Sequence, residues 1–297
     1  MTEQGKRAQA GSGVWDSQMK KIGFGVPANS ESRIPNPAQK CYTALLGGFR
    51  EPSAPMKVLI LVAIAGFALF SIYCYAWSIP TLQLFGPAVV RGPAAGRRIA
   101  LTFDDGPAPV FTEQVLDVLR ERNVKATFFL CGKNVERYPE IARRIKAEGH
   151  AIGNHTYSHP FLYFKSRSFM GGEIDRAQNA IEKFTGGRPA IFRPPYGARW
   201  LGIYPVLRQR GLTLVNWSDT GYDWKYGKDR IVSETLKHLE PGSIILLHDG
   251  LETRPQRPID QSATVKALPQ IIDAARAAGY SFVTVTDFLG EMMNDER

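Results

Sequence analysis

Five short segments of the chain concentrate residues able to do chemistry. Thr102-Phe103-Asp104-Asp105-Gly106-Pro107 holds two adjacent carboxylates, and Asn154-His155-Thr156-Tyr157-Ser158-His159 holds two imidazoles. Arg193-Pro194-Pro195-Tyr196-Gly197 fixes a guanidinium beside a rigid turn; Asp219 and Asp223 precede Trp224, and His248 is followed by Asp249 and Gly250. Adjacent residues of an extended segment point to opposite sides. Asp104 and Asp105 are therefore expected to divide two tasks, one binding a metal and one acting on water, although Asp-Gly-Pro is also ordinary turn chemistry. The i, i+4 spacing of His155 and His159 would put both on one face of a helical turn, where they could share a metal. Two His and one Asp give three protein ligands and leave a fourth position for water, as a catalytic zinc site requires. A metal so held would bring the pKa of its water toward about 7 and polarise a carbonyl oxygen.

The other segments add complementary groups. Arg193 can pair with a catalytic carboxylate. The backbone amide of Tyr196 can hydrogen-bond an oxyanion. His248, after an apolar run, can protonate a leaving amine, and Asp223 can hydrogen-bond it and raise its pKa. Neither a Ser nor a Cys nucleophile is needed, and no Gly-x-Ser-x-Gly is evident. His150 and His238 read as structural or solvent-facing, and Cys131 as a small buried residue.

All five segments follow short apolar runs, which sets the architecture. Strand-like stretches over 99–103, 124–130, 151–153, 190–192, 212–217, 243–247 and 282–285 alternate with helical patterns over 113–122, 135–148, 173–184, 204–209, 231–239 and 265–278. Gly149, Gly186, Gly211 and Gly279 mark helix ends. Seven strands alternating with six helices predict an α/β fold with a mainly parallel sheet, and the repeat over about 200 residues suits a barrel better than an open sheet. Parallel α/β folds collect functional groups at strand C-termini, so the five segments are expected on one rim.

Ahead of this domain lie two different stretches. Residues 1–57 are polar, with no sustained apolar period, and read as a disordered tail. Residues 58–79 are 22 consecutive uncharged residues, about 33 Å as a helix, enough to cross a bilayer core. Tyr73, Tyr75 and Trp77 cluster at its C-terminal end like an interfacial belt, and Pro80 stops it. Two readings follow: a single-pass anchor at the cell membrane with an extracytoplasmic domain, or a signal sequence starting at Met56, cleaved after Cys74-Tyr75-Ala76, leaving a secreted or periplasmic domain. The length of the run favours the anchor. Residues 80–96 read as a linker.

Composition excludes several classes. The 297 residues are 44% hydrophobic, and three cysteines (Cys41, Cys74, Cys131) provide neither a disulfide scaffold nor a Cys-based zinc site. The net charge is +9, but Lys and Arg occur in pairs, not runs. Eight Lys/Arg fall in the first 57 residues against four Asp/Glu, and from residue 58 onward 29 basic residues face 24 acidic ones. So diffuse an excess argues against nucleic-acid binding, and no obligate protein partner is implied.

In this order the five segments resemble the motifs of the polysaccharide deacetylases, also called the NodB-homology domain or carbohydrate esterase family four. The resemblance covers about residues 97–290. It implies a distorted (β/α)7 barrel and an N-deacetylase acting on N-acetylglucosamine units of a glycan, chitooligosaccharide or peptidoglycan, with an O-deacetylase on acetylated xylan as the alternative. A non-catalytic carbohydrate-binding relative is a more remote one. By resemblance Asp105, His155 and His159 hold a divalent metal, usually Zn2+, with Co2+ or another divalent ion as substitutes. Asp104 is then the general base, Arg193 tunes it, His248 is the general acid, and Tyr196 gives its amide to the oxyanion. Asp223 orients the acid, while Trp224, Leu246 and Pro195 line the substrate pocket. One departure stands out: the family usually places the two Asp of its fourth motif three apart, whereas Asp219 and Asp223 are four apart. Which of them reaches His248 is left open.

Overall fold

The structure is a computed structural model that describes residues 52–78, 81–82, 86–199, 202–250 and 260–295. The chain divides into two compact units, Met1–Val62 and Ala63–Arg297. Most of the expected tail lies outside the described residues. Helix α1 spans Ala54–Ser78, starting four residues before the apolar run, because hydrogen bonding and not hydropathy sets a helix start. The Lys57 N–H already donates to the Ser53 carbonyl. The helix is long and apolar enough to cross a membrane, and its Leu59, Leu61 and Phe67 side chains are exposed.

The second unit carries the parallel α/β alternation. Strands β1 (Arg98–Asp104), β2 (Thr127–Leu130), β3 (Ala151–Asn154), β4 (Ile191–Phe192), β5 (Thr213–Leu214), β6 (Asp219–Thr220), β7 (Ile244–His248) and β8 (Ser281–Phe282) form one sheet. Its order is β5-β4-β3-β2-β1-β7-β6, with β8 on the N-terminal end of β1, and every named pairing is parallel. This is a curled, incomplete barrel. No pairing among the described residues joins β5 to β6. The expected linker crosses there instead: Val89 bridges Val215, Arg91 bridges Ser243, and the Gly92 N–H donates to Gly242 O.

Helices α2 (Phe111–Glu121), α3 (Gly132–Arg137), α4 (Pro139–Ala147), α5 (Arg167–Thr185), α6 (Ile203–Arg208), α7 (Lys228–Lys237), α8 (Ser262–Ala277) and α9 (Val285–Asp295) connect the strands or follow the last one. The period over 135–148 holds as two helices. Pro139 supplies no N–H and opens α4, and Tyr138 before it leaves helical geometry at φ −132°, ψ 58°. The expected strand over 282–285 ends at Phe282. Thr284 and Asp287 instead form a reciprocal cap, the Thr284 N–H donating to Asp287 Oδ2 and the Asp287 N–H to Thr284 Oγ1, which starts α9. Gly149, Gly186, Gly211 and Gly279 all take positive φ at helix ends, as their positions suggested.

Strand alternation divides the core and points the site inward. Ile99, Leu101 and Phe103 of β1 face the helices with Ile245 and Leu247 of β7. The intervening Ala100 and Ile244 belong to the inner layer with Phe129, Ile191 and Val215. By the same period Thr102 and Asp104, and Leu246 and His248, face the barrel interior.

Candidate active site

Asp104 ends β1 and is 3% exposed. Its Oδ1 accepts a hydrogen bond from Arg193 Nη1 at 2.7 Å. Arg193 is fully buried just beyond β4, where Nη1 also donates to Thr102 Oγ1 at 2.8 Å and Nη2 to the Asn216 carbonyl at 3.0 Å. Its guanidinium lies 4.0 Å above the Phe129 ring. Thr102 and Asp104 are one alternation apart, so one guanidinium nitrogen meets both.

Asp105 departs from the expectation that neighbouring carboxylates diverge. Its φ of 75° places it in the left-handed region, which ends the strand alternation. His155 Nε2 consequently lies 3.7 Å from Asp104 Oδ2 and 3.3 Å from Asp105 Oδ1. The Asn134 side-chain amide, donating to the Asp105 carbonyl at 2.7 Å, braces this turn.

His155 and His159 do not share a helical turn either. They stand on the loop after β3, and Thr156 and His159 have φ of 66° and 55°. The loop is shaped by side chains: the Thr156 N–H donates to Asn154 Oδ1, the His159 N–H to Thr156 Oγ1, and the Ser158 N–H and hydroxyl to Glu173 Oε2. The expected convergence holds for this different reason, with His159 Nε2 3.2 Å from Asp105 Oδ1. One potential ligand atom from each of Asp105, His155 and His159 lies within 4.8 Å of the others, and all three residues are buried.

This trio suits a divalent cation. Among the described residues no hydrogen bond of good geometry satisfies the buried Asp105 Oδ1. His155 Nδ1 is 2.8 Å from the Arg193 carbonyl, which can only accept; in the neutral ring Nδ1 carries the proton and Nε2 keeps its lone pair. Burial pushes the Asp105 carboxyl up, but the His159 charge, with His155 and His248, outweighs it and holds the group below its usual range. Burial likewise opposes charge on His155, and Asp104 and Asp105 reverse that and raise its pKa. Nitrogen and oxygen donors in a buried pocket fit zinc or a similar ion.

His248 ends β7. Its Nδ1 is 2.8 Å from Asp223 Oδ1, while Asp223 Oδ2 accepts the His248 N–H at 2.7 Å and the Thr264 hydroxyl at 2.9 Å. Asp219 lies in β6 and accepts from Ser218 Oγ at 2.6 Å, so Asp223 is the carboxylate on His248. Burial lowers the His248 pKa, but the charge and hydrogen bond of Asp223, helped by Asp105 and Asp104, raise it from 6.5 to about 9. Half-exposed Trp224 stands edge-on to His248 at 5.2 Å. Tyr196, at φ 60° in the turn Pro195–Gly197, sets its ring against His159 at 4.8 Å. Pro195 and Leu246 are buried.

Asn134, Glu173 and Thr264 were not singled out from sequence, since amide and carboxylate braces on helices leave no motif. Asp249 also gains a setting: fully buried, accepting from Thr112 Oγ1 at 2.6 Å, with its carboxyl pushed up to about 7, chiefly by burial.

Comparison with known proteins bears on this arrangement. The family model for polysaccharide deacetylase matches residues 91–215. A peptidoglycan-N-acetylglucosamine deacetylase of Bacillus cereus is 39% identical over 195 residues, covering 65% of this chain and 69% of that protein. A chitooligosaccharide deacetylase of Azorhizobium caulinodans is 39% identical over 189 residues, covering 62% and 90%. The crystal structure of a peptidoglycan N-acetylglucosamine deacetylase in complex with 4-naphthalen-1-yl-N-oxidanyl-benzamide superposes with a TM-score of 0.63 at 37% identity, over 68% of this chain and 92% of that one. With the sheet, the motif order and these relatives in agreement, the chain belongs to the polysaccharide deacetylase family.

Proposed function

We propose that this protein is a metal-dependent hydrolase that removes N-acetyl groups from N-acetylglucosamine units of a glycan, with peptidoglycan or a chitooligosaccharide as substrate. The observation that carries the reading is the grouping of the buried Asp105–His155–His159 cluster with Arg193-bound Asp104 and Asp223-bound His248. Asp105, His155 and His159 would hold the ion, most simply Zn2+. When bound, a divalent ion there supplies Lewis-acid polarisation and a more acidic water.

The chain's own residues account for the proton traffic. Asp104, fixed through Oδ1 by Arg193, keeps Oδ2 on the His155 side and serves as the base toward the attacking water. His248 gives its Nδ1 to Asp223, which leaves Nε2 to protonate the departing sugar nitrogen. Its raised pKa keeps that proton in place at neutral pH. The Tyr196 turn would present its main-chain N–H to the oxyanion. Trp224, Leu246 and Pro195 would bound the acetyl and sugar pocket, with Trp224 offering an exposed aromatic face. Acetate and a free amino sugar leave without a covalent enzyme intermediate.

Helix Ala54–Ser78 supports a single-pass anchor at the cell membrane, which suits an extracytoplasmic polymer such as peptidoglycan. Its removal as a signal sequence would give a secreted or periplasmic form of the same enzyme.

The test is acetate release by the zinc-loaded full chain from an N-acetylglucosamine oligomer, from peptidoglycan and from acetylated xylan, with free amines counted alongside. Acetate and amine in equal amounts from either N-acetylated substrate supports the reading. Acetate from xylan alone would replace it with the ester reading, and no acetate from any substrate would overturn both.

A further inference from the structure

The barrel has a second concave feature, at the end away from the catalytic cluster. Strands β2, β3 and β4 run parallel, so the residues just before them gather on one face, about 13 Å from the opposite strand ends for four residues of strand. A cavity of about 490 Å3 opens there, with Lys125, Lys146, His150, Thr185, Arg188 and Thr286 in its walls. These come from four separate places along the sequence: before β2, the end of α4 and the turn after it, the end of α5 and the turn after it, and the first turn of α9.

Its charge is unbalanced. Lys125, Lys146 and Arg188 are among its lining residues, and Asp287 is the one carboxylate among them. That carboxylate is already engaged, since Asp287 Oδ2 accepts from the Thr284 N–H at 2.8 Å and the Thr284 hydroxyl at 2.7 Å. Arg188 pairs with Glu182 at 2.6 Å, which offsets its charge, so the surplus rests on the two lysines. Lys125 gives one proton to the Glu148 carbonyl at 2.6 Å and keeps two. The Lys146 ammonium makes no hydrogen bond or ion pair among the described residues. Glycines leave both ammonium groups uncovered: a Cβ on Gly187 would stand 3.7 Å from Lys146 Nζ, and one on Gly149 would stand 3.9 Å from Lys125 Nζ.

A buried donor adds to the cations. His150 Nδ1 accepts the Ala126 N–H at 3.1 Å, so the neutral ring carries its proton on Nε2. That nitrogen is buried with no hydrogen-bond partner among the described residues, where the nearest carboxylate oxygen, on Glu148, is 3.9 Å away, beyond hydrogen-bond reach. Burial first and the Lys125 charge second lower the ring's pKa to about 4, so it is neutral at physiological pH. A buried N–H without an acceptor is costly and uncommon, and His150 is one of the residues that line the cavity.

We propose that this cavity is a binding site for a phosphoryl group, carried either by free phosphate or by a phosphodiester, on the face opposite the catalytic cluster. Lysine point charges and threonine hydroxyls brought to one cavity by separate elements suit a tetrahedral oxyanion, which offers an oxygen in each direction. The volume corresponds to more than ten waters at about 30 Å3 each, so it also accommodates the organic part of an ester. Such a site would hold a glycan-modifying enzyme to a phosphate-bearing polymer or headgroup without occupying its catalytic rim.

Calorimetric titration of the full chain tests this, with inorganic phosphate and with glycerophosphoglycerol, each against chloride at matched ionic strength. The parent is compared with Lys125→Gln/Lys146→Gln, which changes only exposed side chains, and with Gly187→Glu, which puts a carboxylate beside Lys146. Saturable binding of at least one probe is expected, weakened tenfold or more in the lysine pair and in Gly187→Glu, with acetate release from the oligomer unchanged. Binding of phosphate alone identifies a small-ion site, and binding of the diester identifies a polymer or headgroup site. No saturable heat beyond the chloride control, or parent-like affinity in both variants, would overturn the proposal.

Discussion

Replacing Asp223 by Asn isolates the electrostatic control of His248. The carboxylate is bonded to that residue twice, through Nδ1 at 2.8 Å and through the backbone N–H at 2.7 Å. Asparagine keeps the shape and an acceptor oxygen but removes the charge. Raising the imidazolium pKa from 6.5 to about 9 corresponds to about 3 kcal/mol in favour of the charged form. Asp223 is the largest favourable contributor, and burial opposes it. Without the charge, the His248 pKa is expected to return to 6.5 or lower. At pH 8 a group of pKa 9 is about nine-tenths protonated and one of pKa 6.5 about 3%, a loss of roughly 30-fold in the acid form. The assay is kcat/KM from pH 5.5 to 10 with NMR titration of the imidazole. In the parent the alkaline limb should fall near 9, and in Asp223→Asn near or below 6.5. Stability should change with the same sign. A His whose folded pKa is raised stabilises the fold fully below 6.5 and loses that contribution as pH rises through 9. The melting temperatures of parent and variant should therefore differ most near pH 6 and converge above 9. An alkaline limb that stays near 9 in the variant would refute the reasoning.

Three further substitutions test other parts of the site. Arg193→Met leaves the buried Asp104 carboxylate without its partner, which costs about 3–5 kcal/mol; thermal unfolding should fall by roughly 10 °C at 2–4 °C per kcal/mol. Gly153→Ala would place a Cβ 2.4 Å from Phe129 Cδ1, an overpacking of about 1–3 kcal/mol. Because Arg193 rests on that ring, steady-state kinetics should show kcat falling more than KM rises. Asp249→Asn removes a buried carboxyl raised to about 7. Such a group lowers native stability progressively between pH 3.8 and 7, so the variant should melt higher than the parent at pH 8, by up to about 4 kcal/mol, and equally below pH 4.

Most of the barrel could be read from strand-length apolar runs and from four glycines at helix ends. The β6 pair Asp219–Thr220 could not, because two polar residues show no strand period. Helix α9 was obscured by the β-branched run Val283-Thr284-Val285-Thr286, although Thr284 and Asp287 already held its cap. In the site, residue types located Asp104, Asp105, His155, His159, Arg193 and His248, but not the backbone that gathers them. Positive φ at Asp105, Thr156 and His159 depends on tertiary braces from Asn134 and Glu173. Spacing alone could not choose between Asp219 and Asp223; that choice rests on the turn after β6.

The central claim is that hydrolysis needs an ion held by Asp105, His155 and His159. The most direct measurement strips the full chain with a chelator and titrates Zn2+ back while bound metal and acetate release from an N-acetylglucosamine oligomer are followed together. Activity is expected to vanish on stripping and return in step with one equivalent of bound zinc, and in His155→Ala neither tight binding nor activity should return. Full acetate release by protein shown to hold no metal, or by His155→Ala, would contradict the account.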